Sequence, residues 1–195
     1  MGPGEARNVG VKSCGSQYIA LLDSDEIWNT RKIEIVKMEI EKTGADFFAH
    51  KRGFKLNCNS FSEPLAYKTN LISRFRLLFG NVIPTSSIVA KRELIINSFE
   101  ESGRHSEDFY AIFRMVSKSG YIHMIDEYLV NAEKPPYGES GQGSNILKMK
   151  LAAQRVLVKL KREKLLNVIE YLLAASVSIL KLPVSLIRLI VFKFS

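Results

Sequence analysis

The sequence predicts an α/β fold with helices flanking a sheet, and three observations support this prediction. Short apolar runs at residues 18–22, 45–50 and 86–90 are bounded by polar or turn-forming residues, which is typical of buried strands. Segments with helical signals stand between and after these runs. The chain has 195 residues, of which 46% are hydrophobic and 25% are charged, so it can bury a sizeable core.

The first half of the chain gives clear local signals. A short helix is predicted over residues 8–16, because Gly15 is placed to end it. The strand at 18–22 follows. Residues 30–42 are predicted to form a longer helix, since Ile33, Val36 and Ile40 form an apolar stripe and Gly44 follows as a stop.

The second half continues the alternation of helices and strands. Its predicted elements are helices over 71–79, 91–98 and 107–119 and strands over 86–90, 121–125 and 128–130. The helix over 107–119 has the strongest support, because Ser106 is a favourable N-cap and Gly120 is placed just after its last turn.

Composition divides the chain into a body over residues 1–133, a Gly-, Pro- and Ser-containing linker over 134–145, and a basic helical tail over 146–195. The tail holds ten of the 28 Lys and Arg residues but two of the 20 Asp and Glu residues, so it carries the whole net charge of +8. A nucleic-acid-binding domain usually carries basic charge on its folded face. The neutral body therefore argues against nucleic acid as a partner.

The tail has the composition of helices that lie on a membrane surface. Residues 146–164 are basic and amphipathic, and the longest uncharged run, residues 171–180, has ten residues. A spanning helix needs about 20 residues. We therefore predict amphipathic helices on anionic lipid at the inner face of the cell membrane. The alternative is a helical pair that packs on the body or on a second copy of the chain.

The N-terminal residues and the cysteines favour a cytoplasmic location. The first ten residues lack the basic and apolar regions of a secretory signal. Cys14 and Cys58 are too few for a disulfide framework, so we expect two reduced thiols.

Asp23 and Asp25 come directly after the predicted strand at 18–22. Ligands of open α/β sheets bind at the carboxyl ends of strands. Two carboxylates at this spacing can share one Mg²⁺ or Mn²⁺, or divide between a cation and a ribose. The spacing alone is a weak signal, and a solvated acidic turn is the alternative.

Glu107 and Asp108 form a second acidic pair, in the first turn of the helix over 107–119. Acidic residues at this position complement the helix dipole and need no active site. The functional interpretation is a general base that takes a proton from an acceptor hydroxyl.

Both acidic pairs occur within longer segments that resemble family-2 glycosyltransferases over about residues 2–133. The first segment is GPGEARNVGVKSCGSQYIALLDSDEIWNTRKIEI, and the second is SFEESGRHSEDFYAIFRMVSKSGYIHMIDEYLV, in which Arg114 follows the Glu-Asp pair. The residues of the first segment that match the family are Gly4, Ala6, Arg7, Asn8, Gly10, Gly15, Tyr18, Ile19, Leu22, Asp23, Asp25, Glu26, Trp28, Lys32 and Glu34.

The resemblance implies a GT-A fold, a nucleotide-diphosphate sugar donor, a polysaccharide or glycolipid acceptor, and a Mn²⁺ or Mg²⁺ ion. Asp25 would be the main metal ligand, and Asp23 its partner nearer the ribose. Asp108 would be the catalytic base of an inverting transfer, with Glu107 as the second candidate. Arg7 would lie near the diphosphate or pack on the sheet edge.

The resemblance begins inside the family's usual sequence. Members of this family start with β-α-β units that bind the donor base, whereas Met1 here directly precedes the Ala-Arg-Asn block. One such unit takes roughly 30 residues. We therefore expect a partial GT-A sheet whose strand at 18–22 is an exposed edge. On this expectation the chain is a truncated glycosyltransferase, or else a non-catalytic membrane-associated binding partner or half of a split enzyme.

Overall fold

The fold alternates helices with strands along most of the chain. A computed structural model describes residues 2–55, 67–99, 107–132 and 146–181. Its helices are α1 (Pro3–Ser13), α2 (Lys32–Thr43), α3 (Arg74–Leu77), α4 (Arg92–Ile95), α5 (Glu107–Ser119), α6 (Ile146–Arg162) and α7 (Val168–Leu180), with a 3₁₀ turn at Thr85–Ser87. Its strands are β1 (Tyr18–Ala20), β2 (Glu26–Trp28), β3 (Phe47–Phe54), β4 (Thr69–Ser73), β5 (Val89–Lys91) and β6 (Tyr121–Ala132).

The described strands form one mixed sheet in the order β1-β5-β3-β6-β2, and β4 also pairs with β6. The central strands β3 and β6 are parallel, and the other pairs are antiparallel. The first part of β6 pairs with β4 and its last part pairs with β2. The register between β3 and β6 shifts twice between His50 and Arg52. Strand β1 lies at one end of this order, as the sequence predicts.

Helices cover both faces of the sheet, so the α/β class predicted from the sequence is confirmed. On one face, α1, α4, α5, α6 and α7 contribute to a single core cluster. On the other face, Ile35 and Val36 of α2 pack with Phe48, Ile125 and Leu129. The alternation of Phe47 and Phe48 between the two clusters follows from the two-residue repeat of a strand.

Three predicted elements have wrong boundaries or type. Helix α1 begins at Pro3 rather than near residue 8, because proline at the first helical position is already set to the helical φ angle. The predicted helix over 71–79 is the strand β4 followed by the short helix α3, since β4 pairs with the first part of β6. The two strands predicted at 121–125 and 128–130 are the single strand β6, whose length pairs with β3.

The predicted stripe of α2 is also partly wrong. Ile33 is exposed, and Ile35 is buried in its place. The buried face of α2 includes two charged residues, Lys32 and Glu39, beside Ile35 and Val36. A pattern built on apolar residues alone therefore assigns the wrong face.

Helices α6 and α7 pack on the body, which was the alternative to a separate membrane-bound tail. Their contacts with the body belong to its main core cluster, which includes Leu160, Leu166 and Ala174. No helix in the described part of the chain combines the length and apolar character needed to cross a bilayer. The predictions made for Cys58, Ser106, the linker over 134–145 and the end of the tail lie outside the described residues.

Candidate active site

Arg7 of α1 joins the two acidic pairs that stand far apart in the sequence. Its Nη2 atom donates to Asp23 Oδ1 at 2.6 Å, and its Nη1 atom lies 3.4 Å from Glu107 Oε1. The Arg7 side chain is 19% exposed and that of Glu107 is 5% exposed, so solvent screens this part of the network only partly. The fold therefore places the Asp-x-Asp turn and the start of α5 at one site.

Two further contacts join α1 to Phe99, one from Arg7 and one from its neighbour Asn8. The guanidinium lies 5.3 Å from the centre of the Phe99 ring, within reach of a cation–π interaction. The buried side chain of Asn8, the next residue in α1, donates to the Phe99 carbonyl oxygen at 3.0 Å. Sequence reasoning did not identify Phe99, because a single aromatic residue after a short helix signals only a core position.

Asp23 and Asp25 lie in the turn between β1 and β2. The turn is closed by the Glu26 N–H, which donates to the Asp23 carbonyl oxygen at 3.1 Å. Asp23 is half-buried and Asp25 is exposed. Arg7 thus holds Asp23, and the Asp25 side chain lies at the protein surface.

The chemistry of this turn fits a hard divalent cation. Two carboxylates in an exposed turn are the ligands that Mg²⁺ takes together with water and substrate phosphate. The described residues contain no group of three or more His, Cys, Asp or Glu side chains arranged for a metal ion. A cation held by Asp23 and Asp25 would need further ligands, which a donor diphosphate and water can supply.

Glu107 and Asp108 occupy the first turn of α5, as predicted, but in different environments. Glu107 is buried and bonded to Arg7. Asp108 is half-buried, and its Oδ1 atom accepts from the Phe109 N–H at 3.0 Å. Glu107 therefore links the start of α5 to Arg7, whereas Asp108 is the more accessible of the two carboxylates to an acceptor.

A second polar cluster, which sequence reasoning missed, lies beside the Asp-x-Asp turn. Lys32 is fully buried, donates from Nζ to the Ser86 carbonyl oxygen at 3.0 Å, and lies 4.0 Å from the centre of the Trp28 ring. Burial lowers the pKa of Lys32 to about 7, and the nearby Glu26 carboxylate opposes this shift. Glu26 itself forms an ion pair with Arg52, with Oε1 and Nε 2.6 Å apart.

His50 extends this cluster into β3. It is fully buried, and its Nδ1 atom lies 2.9 Å from the Lys51 carbonyl oxygen, so the Nδ1–H tautomer can donate there. Burial, and then the charge of Lys32, lower its pKa to about 3. His50 is therefore neutral at physiological pH.

Comparison with known proteins agrees with this arrangement. The sequence profile described as "Glycosyl transferase family 2" matches residues 1–96. Residues 1–96, slightly less than half of the chain, are thus similar to glycosyl transferase family 2. The match includes Arg7, Asp23 and Asp25, while the Glu107–Asp108 pair lies beyond it.

Two curated relatives are named as glycosyltransferases. The chain is 37% identical over 83 residues to an uncharacterized glycosyltransferase from Rickettsia felis, and 41% identical over 83 residues to one from Rickettsia conorii. Each alignment covers 43% of this chain and 12% of the relative. The chain thus spans about an eighth of the length of these relatives.

The solved structures support the fold over a larger part of the chain. The crystal structure of S. aureus TarS matches with a TM-score of 0.58 and 17% identity, over 82% of this chain and 27% of TarS. A shorter TarS structure, in complex with UDP-GlcNAc, matches with the same TM-score over 47% of its length. The likeness confirms the partial GT-A fold predicted from the sequence, over more of the chain than the family profile matches.

Proposed function

We propose that this chain carries the catalytic centre of an enzyme that transfers a sugar from a nucleotide-diphosphate donor to a saccharide or lipid-linked acceptor. The observation that carries this proposal is the contact of Arg7 with both Asp23 and Glu107. It brings the turn suited to a metal–diphosphate group next to the helix that starts with a candidate base. The TarS structures bound to UDP and to UDP-GlcNAc support a nucleotide-sugar donor for this fold.

In the proposed reaction, Asp108 accepts the proton of an acceptor hydroxyl. The acceptor oxygen forms a bond to the anomeric carbon as the bond from that carbon to the diphosphate breaks, and the diphosphate leaves with the electron pair. Attack in line with the leaving group inverts the anomeric configuration. Glu107 and Arg7 position the start of α5 against the donor turn, so that the acceptor and donor meet in one geometry.

A Mn²⁺ or Mg²⁺ ion bound to Asp25 and Asp23 would supply charge stabilisation to the departing diphosphate. Arg7 adds a fixed positive charge at 2.6 Å from Asp23. The charge of Arg7 is then available to both the donor side and the acceptor side of the site.

We also propose that the enzyme works at the inner face of the cell membrane, where a lipid-linked or envelope-polysaccharide acceptor is available. The support for this location is the net charge of +8, which resides in residues 146–195. Basic residues near anionic lipid each contribute about 1 kcal/mol to membrane binding.

The experiment that tests the proposed donor site is calorimetric titration of the purified chain with UDP and with GDP, with and without Mn²⁺. We expect one nucleotide to bind in a Mn²⁺-dependent manner, and Asp25→Ala to abolish that binding. The matched control is Asp126→Ala, which removes a half-exposed carboxylate on β6 that pairs with Lys51.

The outcomes separate the donor site from other nucleotide-binding surfaces. Binding that Asp126→Ala retains and Asp25→Ala loses supports the proposed site. Binding that survives Asp25→Ala places the nucleotide elsewhere and contradicts the assignment. A folded chain that binds neither nucleotide would show that these residues do not form a donor site by themselves.

A further inference from the structure

The outward face of α7 is a continuous apolar surface. The apolar residues of this face recur at helical spacing, and each of them is more than half exposed. They are Val168, Ile169, Leu172, Ile179 and Leu180, with Ser176 between them. A solvent-facing helix surface normally carries polar and charged side chains, so this face has the composition of a buried one.

The opposite face of α7 is already occupied by the body of the protein. Ala174 is buried in the main core cluster, and Glu170 accepts from Arg74 at 2.5 Å. Arg74 also donates to the Leu165 carbonyl oxygen at 3.1 Å, just before α7 begins. The orientation of α7 is therefore fixed, and its apolar outward face does not result from an undocked helix.

Exposed basic residues stand at both ends of this face. Lys161, Arg162 and Lys164 are exposed in the segment that leads into α7. Lys181 is exposed directly after it, and its Nζ atom also donates to the Phe79 carbonyl oxygen. The two acidic residues of the same region are paired with side chains of the body: Glu163, which is exposed, accepts from Tyr110 at 2.6 Å, and the half-buried Glu170 pairs with Arg74. An apolar strip with cations at its ends complements a lipid bilayer that has an anionic surface and an apolar interior.

We infer that the outward face of α7 is the surface through which this chain lies on anionic lipid, with Ile169, Leu172 and Ile179 inserted among the acyl chains. This inference rests on the membrane location proposed above and assigns it to one face. The sequence continues as LPVSLIRLIVFKFS, which is apolar apart from two basic residues, Arg188 and Lys193, and two serines, Ser185 and Ser195. The chain after α7 thus has the same apolar and basic character as the face itself.

The same contacts connect the lipid-facing surface to the candidate active site. Helix α5 starts with Glu107 and Asp108, and one turn later its Tyr110 contacts both Glu163 and the Lys159 ammonium, which lies 4.3 Å from the ring centre. The helix pair is thus a rigid platform on α5 rather than a flexible anchor. Binding of α7 to lipid would hold the base at a fixed height above the membrane, where a lipid-linked acceptor presents its hydroxyl.

The test is co-sedimentation of the full chain with vesicles of phosphatidylglycerol and phosphatidylcholine, compared with phosphatidylcholine alone. We expect binding to the anionic vesicles, and a decrease in partitioning of about tenfold or more in the double variant Ile169→Asp/Leu172→Asp, because two carboxylates would enter the apolar layer. The control Ile33→Asp makes the same change at an isoleucine of α2 that is 52% exposed. It should bind vesicles as the unmodified chain does.

Several outcomes would overturn the inference. These are equal vesicle binding by the double variant and the unmodified chain, binding that is indifferent to anionic lipid, and absence of vesicle binding by the unmodified chain. A dimer in solution that the double variant dissociates, without vesicle binding, would assign this face to a second copy. Far-UV circular dichroism confirms that the variants fold, and nucleotide titration of the same samples tests the donor site independently.

Discussion

At the scale of single residues, Arg7 shows how the fold turns two separate motifs into one site. Its guanidinium provides the planar set of donors that can serve two carboxylates at once, which a lysine ammonium cannot do with the same geometry. One of these carboxylates, that of Glu107, is almost fully buried. A buried carboxylate is stable in its charged form only with such a partner, so Arg7 contributes to folding as well as to the site.

Removal of Arg7 should therefore destabilise the protein. We expect Arg7→Ala to lower the free energy of unfolding by about 2 kcal/mol, because Glu107 loses its cation while it stays buried. Adding Glu107→Gln should restore part of this loss, with a coupling energy of about 1 kcal/mol. Urea denaturation of both single variants and the double variant measures the coupling.

The control for this cycle is Arg31→Ala. Arg31 pairs with Glu34 at 3.0 Å on the surface of α2, where solvent screens the pair, so its removal should have little effect. Losses for Arg7→Ala and Glu107→Gln that simply add in the double variant would show that the two side chains do not stabilise each other.

His50 gives the protein a specific dependence on pH. Its pKa is lowered to about 3 in the folded state, against an ordinary value of 6.5, because it is buried beside Lys32. Below pH 6.5 the unfolded chain therefore binds a proton that the folded chain excludes. The free energy of unfolding should fall as pH decreases from 6.5 toward 3, with a slope from this residue of up to about 1.4 kcal/mol per pH unit.

The measurement is urea denaturation between pH 5 and 7 of the unmodified chain and of His50→Asn. Asparagine keeps an N–H donor near the Lys51 carbonyl oxygen but does not titrate. The variant should show a smaller slope in this window. Lys32 titrates with a pKa of about 7 and affects stability mainly above this window, so it does not mask the difference. Identical slopes would mean that His50 is protonated as easily in the folded chain as in the unfolded one.

At the scale of elements, the sequence predicts those whose signals are local. Helices α2 and α5 have apolar periodicity and a following glycine, and both glycines adopt positive φ, 63° at Gly44 and 84° at Gly120. Each donates its N–H to the carbonyl oxygen four residues before it, as a helix-ending residue does. Strands β2 and β4 were missed, because pairing with the distant strand β6 defines them and short segments carry little pattern of their own.

The same distinction applies to the candidate site. The sequence identifies Asp23, Asp25, Glu107 and Asp108 because their residue types and order match a known motif. It leaves the position of Arg7 open between the diphosphate and the sheet edge, because only the fold brings α1 against α5. Glu26, Trp28 and Lys32 match the family in sequence, but their contacts were not predicted, since a lysine near the start of a helix normally signals an exposed position.

At the scale of the whole molecule, the basic helices and the body share one core. The contacts run from α5 to α6 and from α6 to α7, and Leu160 is fully buried among them. This arrangement predicts that the helix pair unfolds together with the sheet, although composition alone separates residues 146–195 from residues 1–133 as different domains. A separate domain would unfold in a transition of its own.

The variant Leu160→Ala tests this cooperativity. Removal of the side chain leaves a cavity in the shared core, and we expect the free energy of unfolding to fall by about 3 kcal/mol. The single tryptophan of the chain, Trp28, lies on β2 beside the Asp-x-Asp turn and reports on the sheet by fluorescence. The Trp28 transition in urea should shift to lower concentration together with the loss of helix measured by circular dichroism.

The control is Leu151→Ala, which truncates a leucine of α6 that is 61% exposed and should change stability by no more than about 0.5 kcal/mol. If Leu160→Ala lowered the helical transition but left that of Trp28 unchanged, the helices would form an independent unit, and lipid binding by α7 would not fix the height of the active site. Coincident shifts mean that α7 and the helix that carries Glu107 and Asp108 unfold as one cooperative unit, as the shared core predicts.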